Sequence, residues 1–112
     1  LRLSTFNSFL EHKYFFEAKR LKEKSSKLKR RYIDTGIDSF ISKKYENGSL
    51  IGYLVEGNLD VTVDGINSLL TKDKRKIEIL KYKFLKYHSN YYESEHKEIG
   101  VLKHLIFDFT DN

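Results

Sequence analysis

Hydrophobic positions along this chain fall into blocks of different period. Tyr14, Ala18, Leu21, Leu28 and Tyr32 recur at spacings of three, four or seven, with Ser25 on the same stripe. Such spacing marks one apolar face and predicts a long helix over about 5–32. On that helix Lys19, Arg20, Lys27, Arg30 and Arg31 fall on the opposite arc, with Lys24 at its edge. Phe16 shares the polar arc, which a two-faced helix leaves unexplained. Ser25-Ser26, where helix propensity drops, is an alternative break point. After Asp34-Thr35-Gly36, a turn or cap, a short helix over about 37–45 would bury Ile37, Phe40 and Ile41. Asn47-Gly48 is expected to stop it in a left-handed conformation.

Two strands are predicted next. Leu50 to Val55 is nearly all apolar, and Leu59, Val61 and Val63 then alternate with Asp60, Thr62 and Asp64. Glu56-Gly57-Asn58 would join them as a hairpin turn. Gly65 is expected either at positive φ or in close approach to a neighbour. Beyond it, Ile66, Leu70, Ile77, Leu80, Phe84, Tyr87 and Tyr91 keep heptad spacing, broken at Asp73. A second long helical region follows from that repeat. Its seam of Ile77, Leu80, Phe84, Tyr87 and Tyr91 would complete the core or form a two-fold dimer interface. The stretch 99–109 reads as a helix end or an edge strand. The expected fold is therefore α+β, mainly helical with one central β-hairpin. A single domain would span 1–112, with a core at about 5–71 and an amphipathic C-terminal helix and tail over 72–112.

Composition narrows the chemistry. The 112 residues include 21 Lys plus Arg against 16 Asp plus Glu, with no Cys, Met, Trp or Pro. Without cysteine there is no disulfide scaffold, thiolate metal site or cysteine nucleophile. No apolar run approaches ~20 residues, so no membrane-spanning helix is expected. The opening Leu1 to Phe6 turns charged by Glu11 and does not read as a signal peptide; a cytoplasmic location is expected. Charge is segregated. Nine basic residues lie between Lys13 and Arg31 and seven between Lys72 and Lys86, whereas Glu46 to Gly65 holds only acids among its charges. Separation of this kind suggests a polyanion partner, or pairing between the blocks.

Val61-Thr62-Val63-Asp64-Gly65-Ile66-Asn67-Ser68-Leu69-Leu70, preceded by Phe40, Ile41, Tyr45 and Asn47-Gly48, resembles the second wing strand and following helix of winged-helix proteins. Regulators of the MarR and PadR type carry similar runs. The resemblance covers about residues 37–70. It implies a winged-helix-like core and a DNA-binding regulator or accessory factor that contacts duplex DNA.

In such a domain Glu56, Asp60 and Asp64 would make the wing acidic, so contact is expected elsewhere. Ser39, Ser42, Lys43 and Lys44 on the short helix suit phosphate and base-edge contacts. The stripe of Lys19, Arg20, Lys24, Lys27, Arg30 and Arg31 would hold the backbone. The aromatic residues also invite a stacking role on single strands, with Tyr91 and Tyr92 beside His88 as the exposed-looking members. His88, His96 and His104 are eight residues apart, a spacing that drifts around a helix, so no metal site is expected. His12 reads as a surface residue. No phosphate loop or nucleophile motif is present, and neither a cofactor nor an enzymatic activity is expected. The alternative function is a protein-interaction module, an inhibitor or adaptor that docks through amphipathic helices.

Overall fold

A five-stranded mixed sheet organises the chain. The computed structural model describes residues 16–46, 48–84, 86 and 88–110. Along the chain come β1 (Phe16–Lys22), helix α1, β2 (Ser49–Glu56), helix α2 (Leu59–Lys72), a 3-10 turn (Lys76–Glu78), β3 (Lys81–Tyr82), β4 (Tyr91–His96) and β5 (Gly100–Asp108). Three contiguous segments make α1: α-helical Ser26–Arg31, π-helical Tyr32–Ile37 and α-helical Asp38–Ser42. In space the strands run β1-β2-β5-β4-β3. β1, β2 and β5 are parallel; β4 is antiparallel to β5, and β3 to β4.

The two helices belong to the two parallel crossovers, from β1 to β2 and from β2 to β5. Right-handed crossovers that step in one direction place their helices on the same face of the sheet. Here α1 and α2 touch each other on that face. Beneath them the sheet contributes Leu21, Leu50, Leu54, Leu102 and Ile106, all fully buried. The helices answer with Tyr32, Ile33, Ile37, Phe40, Val63, Ile66 and Leu70. Gly52 sits in the middle of this face. A Cβ there would come within 2.9 Å of Leu21 and Ile106 and 3.2 Å of the Tyr32 ring. Its bare backbone is what lets Tyr32 reach across β2.

This is not the mainly helical fold with one central hairpin that the periodicity predicts. Phe16–Lys22 is a strand, although Glu, Ala, Lys, Arg and Leu are good helix formers. Parallel pairing with β2 along its length outweighs a propensity of a few tenths of a kcal/mol per residue. Strand alternation also accounts for Phe16, which simply points to the other face. The remainder of the expected first helix, through residue 15, lies outside the described residues. Ser25 is the true start of α1: its side chain accepts from the Leu28 amide at 3.1 Å. The left-handed residue after α1 is Lys44, with φ 56°, not Gly48; Asn47 is outside the described residues.

The expected second wing strand is the first part of α2. Asn58 caps that helix by accepting from the Val61 amide at 3.0 Å, and the Thr62 hydroxyl donates back to the Asn58 carbonyl at 2.7 Å. Thr62, Val63, Ile66 and Leu70 are then buried at helical spacing, while Val61 is half exposed. Gly57 does adopt positive φ, at 95°, but it leads into a helix cap rather than a hairpin. Gly65 is not at positive φ; the Lys29 side chain lies close over it. Between the end of α2 at Lys72 and residue 92, the 3-10 turn Lys76–Glu78 is the only helical piece among the described residues. The seam therefore dissolves: Leu80 and Tyr91 are buried, Ile77 and Phe84 are 76% and 82% exposed, and Tyr87 lies outside the described residues. The 99–109 stretch holds β5, which is central to the sheet and not at its edge.

Candidate functional site

The turn from β1 into α1 gathers positive charge. Arg20 and Lys22 at the end of β1, Lys24 in the turn, and Lys27 and Arg31 on the first turns of α1 surround one concavity of about 350 Å³, with Ser25 and Leu28. Glu56 is the single acid in that lining. None of the five cations forms an ion pair among the described residues, whereas their neighbours Lys19 and Arg30 do. Like charges held close, with no internal partner, keep a positive potential that an incoming anion would relieve.

The expected basic stripe is thereby divided. Arg20, Lys24, Lys27 and Arg31 are brought together, joined by Lys22, which the helical reading left out. Arg30 turns away to Asp73, just past the end of α2, and, at 3.8 Å, to Asp34. The Asp73 bond raises the Arg30 pKa, and Arg30 in turn lowers that of Asp73. Lys19 points toward α1 and pairs with Glu17, two residues back on the same strand face, at 3.3 Å. The second expected set sits at the other end of α1, roughly 20 Å away at 1.5 Å per residue. There Ser42 donates to the Ser39 carbonyl, and the Lys43 amine lies 5.8 Å from the Tyr45 ring centre. Tyr91 and Tyr92 are buried, at 6% and 7% exposure, so neither is available for stacking.

A second polar constellation runs under the helices. Tyr32 Oη lies 2.8 Å from His104 Nδ1, and His104 Nε2 lies 2.7 Å from Ser94 Oγ. Ser94 Oγ is 2.6 Å from His96 Nε2, and His96 Nδ1 is 2.6 Å from Glu78. Arg75 closes the chain with bonds to both Glu78 oxygens and to Asp38. The proton order follows from the two ends. Tyr32 has one neighbour for its buried hydroxyl, so it donates to His104 Nδ1; Glu78, as a carboxylate, only accepts. Hence His104 Nε2–H donates to Ser94, Ser94 to His96 Nε2, and His96 Nδ1–H to Glu78. His104 is neutral in this arrangement. Burial, then the nearby His96, holds the His104 pKa down at about 3. Burial raises that of Tyr32, and the Arg75 bond lowers that of Glu78.

Glu78, His96 and Ser94 have the polar order of an acid, base and nucleophile. They cannot act as one: Ser94 is 1% exposed and the His96 side chain has no exposed surface. A larger concavity of about 630 Å³ borders this end, but its lining includes Glu78, Glu95 and Glu98 and would repel an anion. The helical reading missed the whole chain of contacts. The signal was present in period two, because Tyr92, Ser94 and His96 share one face of β4 while Leu102, His104 and Ile106 share the same face of β5.

Among the described residues no group of His, Asp and Glu could hold a metal ion, and no helix is long and apolar enough to cross a membrane. No protein-family model, curated protein or solved structure matches the chain.

Proposed function

We propose that this protein is a nucleic-acid-binding factor whose phosphate contacts are made at the β1–α1 turn. A single observation carries the reading: Arg20, Lys22, Lys24, Lys27 and Arg31 converge on one concavity with Glu56 as its single acid, and none of the five forms an ion pair among the described residues. Phosphate oxygens along a backbone supply repeated negative charge at a spacing that several flexible cations can follow. Neutralising phosphates releases condensed counterions, so binding of this kind is steeply dependent on salt.

The test is fluorescence anisotropy with labelled oligonucleotides across a salt series. Reversing Lys24, Lys27 and Arg31 to Glu is expected to weaken binding by more than tenfold and to reduce the salt slope by about 2–3. Reversing Lys43 and Lys44, at the far end of α1, is expected to change little. Salt-independent binding, or equal losses in the two variants, would refute the reading. Base-edge contact by Ser39 and Ser42 would require the far end of α1 to meet the same ligand, and is not needed here.

A further inference from the structure

Both helices lie on one face of the sheet, and the opposite face carries aromatic groups at the surface. Strand register aligns Arg20 with Tyr53 and Tyr53 with Phe107, so the three stand in a row across β1, β2 and β5. Phe107 is 40% exposed, and Phe109, just beyond it, 66%. Their rings are stacked, with centroids 6.3 Å apart and 15° between planes. His88 meets the Phe107 ring edge-on at 4.9 Å and is fixed by donating from Nε2 to the Ile106 carbonyl at 3.1 Å.

The row also begins at the basic edge. Arg20 is both its first member and part of the lining of the cationic concavity. A path therefore leads from the five cations, which form no ion pair among the described residues, through Tyr53 to the exposed rings of Phe107 and Phe109. A duplex hides the faces of its bases and could use only the cations. A single strand can lay its phosphates on the basic edge and turn its bases onto the rings.

We propose that this ring-bearing sheet face is a stacking surface for the bases of single-stranded nucleic acid, entered from the β1–α1 turn through Arg20. The proposal rests on the phosphate-binding reading above and adds the class of ligand. Base stacking is tolerant of sequence, so the expected preference is for an unpaired strand and not for a particular site.

The experiment compares a labelled oligodeoxythymidine of roughly 15 nucleotides with a duplex of the same length, at ~150 mM salt and below. The wild-type protein should bind the single strand more tightly. Phe107→Leu keeps apolar bulk but removes the ring, and Phe109→Leu does so at a more exposed position. Each should lower single-strand affinity roughly tenfold, while leaving the salt slope and duplex binding unchanged. Circular dichroism melts check that both variants remain folded. Duplex binding equal to or tighter than single-strand binding would overturn the proposal, as would full single-strand affinity in both variants; neither result touches the phosphate reading. A concentration-dependent mass in ultracentrifugation that Phe107→Leu abolishes, with oligonucleotide affinity intact, would assign the face to a second copy of the chain instead. Absence of all nucleic-acid binding would defeat this proposal and the phosphate reading together.

Discussion

The β4–β5 hairpin and the β1–α1 turn are both rich in ionisable groups, yet they treat charge in opposite ways. Under the helices, Tyr32, His104, Ser94, His96 and Glu78 form one chain in which each proton has a single place to go. At the turn, five cations line one concavity beside a single acid, Glu56, and form no ion pair among the described residues. Buried polar groups are tolerated only when every donor and acceptor is satisfied, so the first region is constrained by folding. Exposed like charges are not constrained in that way, and their clustering lowers stability slightly through repulsion. One set of polar residues thus serves the fold, while the other is free for a ligand.

That contrast is broken most forcefully at Ser94. Ser94→Val removes the hydroxyl that accepts from His104 and donates to His96, leaving two buried ring nitrogens unpaired. A loss of about 2–4 kcal/mol is expected in denaturant unfolding. A loss under about 1 kcal/mol would mean that the chain is not a connected unit. Next in size is Gly52→Val, since even a Cβ would press on Leu21, Ile106 and Tyr32. Overpacking there should cost about 1–3 kcal/mol, and it should fall sharply in an Ile106→Val background, which removes the Cδ1 that the new Cβ would meet at 2.9 Å.

Acid should weaken the buried chain. His104 stays neutral in the fold down to about pH 3, whereas in the unfolded chain it takes up a proton near the usual 6.5. The unfolded state therefore binds more protons between those limits, and stability is lost as pH falls through them. The loss approaches about 1.4 kcal/mol per unit. Glu78, held below its usual value by Arg75, adds a further loss as pH drops through the carboxylate range. Chemical denaturation at pH 7, 6, 5 and 4 measures the slope, and His104→Leu should flatten its upper part. The smallest effect belongs to the basic edge. Reversing Lys24, Lys27 and Arg31 should change stability by no more than about 0.5 kcal/mol, because no internal partner is lost. A large destabilisation would show that these cations are structural after all.

Parts of this organisation are legible in the residues, and others are hidden by competing signals. The apolar run of β2 and the burial of Ile37 and Phe40 follow directly from the pattern. The Ser25 cap is readable as a drop in propensity. β1 is concealed because Glu17, Ala18, Lys19, Arg20 and Leu21 favour a helix locally, and only pairing with a strand some thirty positions away decides otherwise. The start of α2 is concealed by the reverse effect. Leu59, Val61 and Val63 alternate like a strand, and the cap at Asn58 outweighs them. Four of the five cations of the basic site are readable as a charge run, but Lys22 joins it and Lys19 leaves it through strand alternation, and Arg30 leaves it through a contact with the distant Asp73 that no spacing reveals. The histidines were obscured by the wrong period: eight residues drift around a helix, yet here they fold back across a hairpin.

The position of β5 also bears on how the protein is made. β5 comes last in chain order among the described strands, and it lies between β2 and β4. Until it arrives, β1–β2 and β3–β4 are separate ribbons with nothing to join them, each presenting bare peptide groups along one margin. Folding should then be slow for a chain of this size, since its decisive contacts span about half the sequence. On the ribosome the nascent chain would wait, with two unzipped margins, for the strand that unites them. That interval is when a chaperone, or an aggregating neighbour, would find its opening.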